Sequence, residues 1–298
     1  MVEYFTVYFP KSDRKVKIQV SGPRLKSDIE FDTLYFLDGQ NAFKDSHAAF
    51  GRSIRATKAL NFAAKEFNKR IIGVAIYNMG TDIGRINEYT PFKIENDIND
   101  KWGSENLEIC HNFCYDVINT LIPFIESKYN VKKDMNHRFI YGSSLAAVTA
   151  LYLGFNYKDS FKVIGAFSTA SFLFEQDFYN FLSNNKDKNK DVFVYVEGMY
   201  LNSAKKLYKY FKENDNRVRL IIDVNGLHNE ETWGNHMLDF INFIYFDDIE
   251  YKKWVFKNEN SFFFYLFDKY SWIDLAASLP APIALITVAA PVTASPPA

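Results

Sequence analysis

The heptapeptide Tyr141-Gly142-Ser143-Ser144-Leu145-Ala146-Ala147 lies where a short apolar, strand-like run at 138–141 gives way to a helical stretch at 145–155. Its centre, Gly142-Ser143-Ser144-Leu145-Ala146, has the form Gly-x-Ser-x-small. A serine at the apex of a sharp strand-to-helix turn requires small residues two before and two after it, because the chain folds back against itself there. Gly142 and Ala146 satisfy that requirement, with alanine where a second glycine is usual. The turn lifts the Ser144 hydroxyl above a sheet and leaves the N–H of Leu145 at a helix N-terminus, aimed at any developing negative charge. A serine-rich helix cap has the same local composition, so the surroundings must decide between the two.

Outward from this point the chain alternates strands and helices. On the C-terminal side, apolar runs at 162–167, 192–196 and 218–224 are separated by helical patterns at 176–183 and 204–213, and a closing helix is expected over 230–245. On the N-terminal side, runs at 4–9 and 16–20 read as a strand pair turning at Lys11-Ser12-Asp13. Short strands follow at 33–37 and 71–77, with a helix at 57–67 between them. A long helical pattern covers 107–129, and Pro123 marks a kink or break in it. The run at 71–77 is continuously apolar, as a strand buried on both faces must be. Such alternation predicts an α/β fold: a central, mostly parallel sheet flanked by helices on both faces. Reactive loops in such a sheet lie beyond the carboxyl ends of its strands.

The 298 residues are 48% hydrophobic, enough for one large core. Lys and Arg number 35 against 36 Asp and Glu, a net charge of -1. Without a basic excess, nucleic acid and anionic membrane surfaces are not expected partners. The expected partner is a small or neutral molecule, and the composition leaves a homo-oligomer open. No apolar run reaches the length of a membrane helix, about 18–20 residues, and the start of the chain lacks the basic and apolar blocks of a signal peptide. Cys110 and Cys114 stand four apart in a helical stretch, a spacing for side-chain neighbours rather than a disulfide. A reducing, cytoplasmic setting is expected from them. A metal pair with His111 or His47 is the alternative, although carboxylates do not cluster there. The domain is expected to span residues 1–246. An aromatic-rich extension at 247–274 includes Phe262-Phe263-Phe264, and an Ala/Pro-rich tail at 275–298 reads as disordered or non-native.

A nucleophilic serine needs a base. Of five histidines, only His228 and His236 follow Ser144, as the order nucleophile, acid, base requires. His228 lies on the loop after the last expected strand, where a base belongs. His236 falls inside the expected closing helix and reads as a surface or packing residue. For the acid, Glu197 at the end of the run 192–196 has the right order and position. Asp223 in the final strand is the alternative, and a Ser-His dyad without an acid is a third arrangement. A second oxyanion donor is expected from Leu37-Asp38-Gly39-Gln40-Asn41, where Gly39 permits close backbone approach and the N–H of Gln40 is the candidate.

Five blocks in order resemble one family. Leu34-Tyr35-Phe36-Leu37-Asp38-Gly39-Gln40-Asn41-Ala42-Phe43 is similar to a "YLLDGQNxF" block. Arg85-Ile86-Asn87-Glu88-Tyr89-Thr90-Pro91 is similar to "RxxEYxP", and Gly142-Ser143-Ser144-Leu145-Ala146-Ala147 to "GSSxGG". Gly165-Ala166-Phe167-Ser168 resembles "GAFS", and Gly226-Leu227-His228-Asn229-Glu230-Glu231-Thr232-Trp233 resembles "GxHNExxW". These belong to the esterase family of α/β-hydrolases that includes S-formylglutathione hydrolases, enterochelin esterases, feruloyl esterases and mycolyltransferases. The resemblance covers residues 4–245. It implies an α/β-hydrolase fold, Ser144 as nucleophile, His228 as base, and backbone donors at Gln40 and Leu145. Two departures stand out: Ala146-Ala147 replaces Gly-Gly, and the stretch after Val196 is short.

The expected function is cofactor-free, metal-free hydrolysis of a small or medium carboxylic ester through an acyl-enzyme. An acyltransferase or thioesterase using the same Ser-His site is an alternative. A catalytically silent binding module on the same fold is another. Asn78-Met79-Gly80-Thr81 and Phe172-Leu173-Phe174 are expected to wall the site.

Overall fold

The computed structural model describes residues 2–23, 25, 28–94 and 107–247. The aromatic run and the Ala/Pro-rich tail anticipated beyond residue 247 lie outside the described residues.

Strand β3 (Asp32–Phe36) is buried along its whole length. Successive side chains of a strand point to opposite faces, so Tyr35 joins one apolar cluster while Leu34 and Phe36 join another. The same division runs through β4 (Ile71–Ile76), β5 (Arg138–Ser143), β6 (Val163–Phe167) and β7 (Asp191–Glu197), each wholly buried. A strand buried on both faces needs helices on both, and they are present. The Tyr35 cluster holds side chains from α2 (Asp82–Tyr89), α3 (Leu107–Asp116), α4 (Ile122–Lys128), α5 (Leu145–Asn156), α6 (Glu175–Asn184) and α7 (Leu201–Glu213). The Leu34 cluster holds α1 (Ala56–Glu66), Trp233 of α8 (Glu230–Asn235), and α9 (Met237–Tyr245).

With β1 (Val2–Phe9), β2 (Arg14–Ser21) and β8 (Arg217–Asp223), the described residues form an eight-stranded sheet in the order β1-β2-β4-β3-β5-β6-β7-β8. Strand β2 pairs antiparallel with both β1 and β4, and every other pair is parallel. Strands β3 to β8 therefore present their carboxyl ends along one edge.

The α-helical pattern expected over 107–129 is interrupted next to Pro123, as that proline suggests: residues 107–128 form a helical rod that widens into a π-turn at Val117–Leu121, where the Ile122 N–H reaches back five residues to the Val117 carbonyl. Proline has no N–H to continue the α pattern, and the wider turn just before Pro123 lets the chain stay helical. One expectation is corrected: the closing helix is two helices, broken at His236. The His236 ring is buried and bonds Asp223 and Asp239. Helix α2 was absent from the sequence reading. Its eight residues include a glycine and lack a long apolar stripe, and it is started by Thr81, whose hydroxyl accepts the Gly84 N–H. Among the described residues no helix is long and apolar enough to cross a membrane.

Candidate active site

The turn from β5 to α5 places Ser144 at φ 57° and ψ −123°. A non-glycine residue there carries strain of roughly 1–3 kcal/mol and persists only when its surroundings hold it. The hold is visible. The Ser144 N–H donates to the Phe167 carbonyl (2.8 Å), and the Ser144 carbonyl accepts from Ala147 and Ala170 (3.2 Å each). A Cβ on Gly142 would lie 2.2 Å from the Ala146 carbonyl oxygen. The close approach is thus between Gly142 and the backbone of residue 146, which is why alanine is accommodated at 146.

His228 follows β8 on the loop that leads into α8. Its Nε2 lies 3.1 Å from Ser144 Oγ, and its Nδ1 lies 2.5 Å from Glu197 Oε1. Glu197 ends β7 and is 2% exposed, whereas the His228 side chain is 26% exposed. Burial alone would raise the Glu197 carboxyl, but the hydrogen bonds from His228 and Ser168 outweigh it, and the group sits below its ordinary value. A carboxylate at Nδ1 keeps a proton on that nitrogen and leaves Nε2 to accept. The three side chains come from the ends of β5, β7 and β8, and the sheet brings them together.

Asp223, the alternative acid, turns to His236 Nε2 (3.3 Å) instead. His236 is a buried packing residue whose ring lies 4.5 Å from that of Tyr195. The residues of the metal alternative are occupied elsewhere. Cys110 and Cys114 are free thiols in the core, His111 Nε2 meets the Pro91 carbonyl (3.1 Å), and His47 Nδ1 meets Gln19 (3.0 Å).

Gln40 lies in a 3-10 turn, Gly39–Asn41, pressed onto β4, where a Cβ on Gly39 would sit 2.4 Å from the Ile76 nitrogen. Asp38 precedes it in a left-handed conformation (φ 52°). Its N–H donates to the Tyr89 hydroxyl (2.9 Å). Its carboxylate accepts from Arg85 Nη2 (2.6 Å), Arg85 Nε (2.9 Å) and Asn78 Nδ2 (2.7 Å). Among the described residues neither the Gln40 nor the Leu145 N–H has a hydrogen-bond acceptor. Such unclaimed donors are what an oxyanion site requires.

The supporting roles of Ser168, Trp233 and Tyr200 escaped the sequence reading. Ser168, itself at φ 49°, donates its hydroxyl to Glu197 Oε2 and accepts from Trp233 Nε1 (2.9 Å). Trp233 and Tyr200 meet the His228 ring edge-on, at 5.0 and 5.1 Å, and Phe172 stacks on Tyr200 (5.3 Å). Ser168 and Trp233 fall inside the blocks quoted above, which were the available signal, and Tyr200 falls outside them. Of the expected wall segments, Phe172 reaches this site through Tyr200, and Asn78 serves it from behind by holding Asp38.

A mostly parallel sheet, covered on both faces and carrying a serine on a strained strand-to-helix turn, defines the α/β-hydrolase class. Within that class the chain belongs to the family described as "Putative esterase", whose model matches residues 10–227. By that membership it is a carboxylic ester hydrolase. Its backbone is similar to that of the BES protein from Bacillus cereus, at 18% identity and a TM-score of 0.64 over 83% of this chain and 95% of that one. It is similar to an IroE-like serine hydrolase from Shewanella oneidensis, at 17% identity and a TM-score of 0.63 over 87% of each chain. A siderophore hydrolase, EstA from Aspergillus nidulans, is alike at 15% identity and a TM-score of 0.63 over 81% of this chain and 94% of that one.

Proposed function

We propose that this ester hydrolase works through an acyl-enzyme on Ser144. The observation that carries the reading is the hydrogen-bonded chain from Ser144 Oγ through His228 to the buried Glu197 carboxylate. As Ser144 Oγ attacks the ester carbonyl carbon, its proton passes to His228 Nε2. The Gln40 and Leu145 N–H groups receive the oxyanion of the tetrahedral intermediate. Collapse breaks the bond to the alcohol oxygen, which leaves with the proton from His228. Water then attacks the acyl-enzyme, giving its proton to His228, and Ser144 is released with the carboxylic acid. Glu197 keeps the imidazole in the accepting tautomer and offsets its charge when it is protonated. The substrate is a small or medium ester, and the Phe172–Tyr200 stack beside His228 offers a planar wall to one side of it.

The experiment is labelling with a fluorophosphonate probe, located by peptide mass spectrometry. The expected result is a label on Ser144, absent in Ser144→Ala and much slowed in His228→Ala. Folded protein that takes no label overturns the acyl-enzyme reading.

A further inference from the structure

The two donors and the base come from separate loops, and only part of their relative placement is set by the sheet. Gln40 N–H belongs to the turn after β3, His228 to the loop after β8, and β5, β6 and β7 stand between those strands. Something must register one loop against the other. Asn41 follows Gln40 directly, and Glu230 lies two residues after His228. Their side chains are buried, and Asn41 Nδ2 donates to Glu230 Oε1 at 2.7 Å.

Neither side chain is needed there for its own element. Helix α8 is already capped by Asn229, whose Oδ1 accepts the Thr232 N–H (2.9 Å), which leaves Glu230 free to turn away from the helix start. The other end of Asn41 is also used, because its Oδ1 accepts the Ala49 N–H (2.9 Å). A second, backbone contact lies behind the bond: the Asn41 carbonyl accepts the Ile54 N–H (2.9 Å), and α8 packs so tightly on Ile54 that a Cβ on Gly234 would lie 2.6 Å from its carbonyl oxygen.

We infer that Glu230 is a positioning residue: through Asn41 it latches the Gln40 turn to the His228 loop and so sets where the oxyanion donor stands relative to the base. This rests on the acyl-enzyme reading above. Glutamine at 230 can still accept from Asn41 through its amide oxygen, whereas alanine cannot. The latch therefore predicts rescue by the conservative variant, and a defect in kcat rather than in substrate affinity.

The test uses the full chain with p-nitrophenyl acetate and with an alkyl trifluoromethyl ketone, which Ser144 would convert to a hemiketal oxyanion. Loss of a whole oxyanion donor costs about 10²–10³ in kcat. A displaced donor costs less, so Glu230→Ala is expected to lose about tenfold in kcat and in ketone affinity. KM should change little, and Glu230→Gln should stay close to wild type. If Glu230→Ala does not fold, Asn41→Ala is read with the same two measurements. If wild type reacts with the ketone and the alanine variant matches it in both measurements, the latch is wrong and the acyl-enzyme reading stands. Equal damage in Glu230→Gln also overturns the latch, because charge and not the Asn41 bond would then matter. If wild type neither labels nor binds the ketone, both readings fall.

Discussion

Replacing Glu197 with glutamine tests the relay without emptying its site. The carboxylate accepts on both oxygens, from His228 Nδ1 on one and from the Ser168 hydroxyl on the other. An amide can accept on only one side. Ser168 Oγ already accepts from Trp233 and has a further lone pair, so it can take the amide NH2. The amide oxygen then faces His228, and the proton stays on Nδ1. What is lost is mainly the negative charge opposite the imidazolium that forms during reaction. At roughly 4 Å between charge centres and an effective dielectric of about 20, that attraction is about 4 kcal/mol. At about 1.36 kcal/mol per decade of rate, kcat should fall by about 10³. The assay is steady-state hydrolysis of p-nitrophenyl acetate, with thermal unfolding to confirm the fold and fluorophosphonate labelling to follow Ser144 alone. A folded Glu197→Gln protein that keeps kcat within about tenfold of wild type refutes the reasoning. It would leave a Ser-His dyad in which the acid is dispensable.

Gly142→Ala would set a Cβ 2.2 Å from a backbone oxygen that cannot yield, a cost at or above the upper end of the usual overpacking range of about 1–3 kcal/mol. A fall in Tm on the order of 5–10 °C with loss of labelling is expected, and an unchanged melting curve would contradict the turn geometry. Trp233→Phe keeps the ring but removes the N–H that steadies Ser168. The loss of one hydrogen bond, about 0.5–1.5 kcal/mol, predicts a two- to tenfold lower kcat with little change in KM, and a larger change in KM than in kcat would assign Trp233 to the pocket instead. Glu88 is buried against Arg14 and accepts the Met79 N–H (3.1 Å); burial pushes its carboxyl from the ordinary 4.5 up to about 7 despite the guanidinium. Between those values the folded state holds a proton that the unfolded chain has lost, so stability from this group is full below 4.5 and declines as pH rises toward about 7. Denaturant unfolding across that window should show wild type losing stability relative to Glu88→Gln, and parallel curves would remove the assignment.

The fold and the centre of the site were legible because their signals are local. A strand buried on both faces is apolar for most of its length, and 71–76 is so throughout. A turn as tight as that at Ser144 admits only small neighbours, so the positions around Gly142 announce it within seven residues. Chain order then singled out His228, because a base on the loop after the last strand is a matter of topology, which strand-helix alternation reveals. Glu197 was reachable in the same way, as the end of the strand before the last. The choice between it and Asp223 was not, because it depends on which of two strand-end carboxylates faces His228 once β7 and β8 lie side by side.

Periodicity misled where a side chain's partner lay elsewhere. Residues 230–245 read as one closing helix, whereas the chain breaks at His236, whose buried ring bonds Asp223 and Asp239. The insertion of β3 between β4 and β5 leaves no mark on either strand's sequence, since all three are buried along their whole length.

By itself, then, the sequence determined the α/β class, the strained serine turn and the histidine that follows the last strand, since each depends on spacing along a few residues or on chain order. Only the tertiary structure decided which carboxylate meets His228, that Ser168 and Trp233 hold it, and that Asn41 reaches Glu230. Those pairs are separated by up to 189 residues and meet only where the sheet order brings their loops to a common edge.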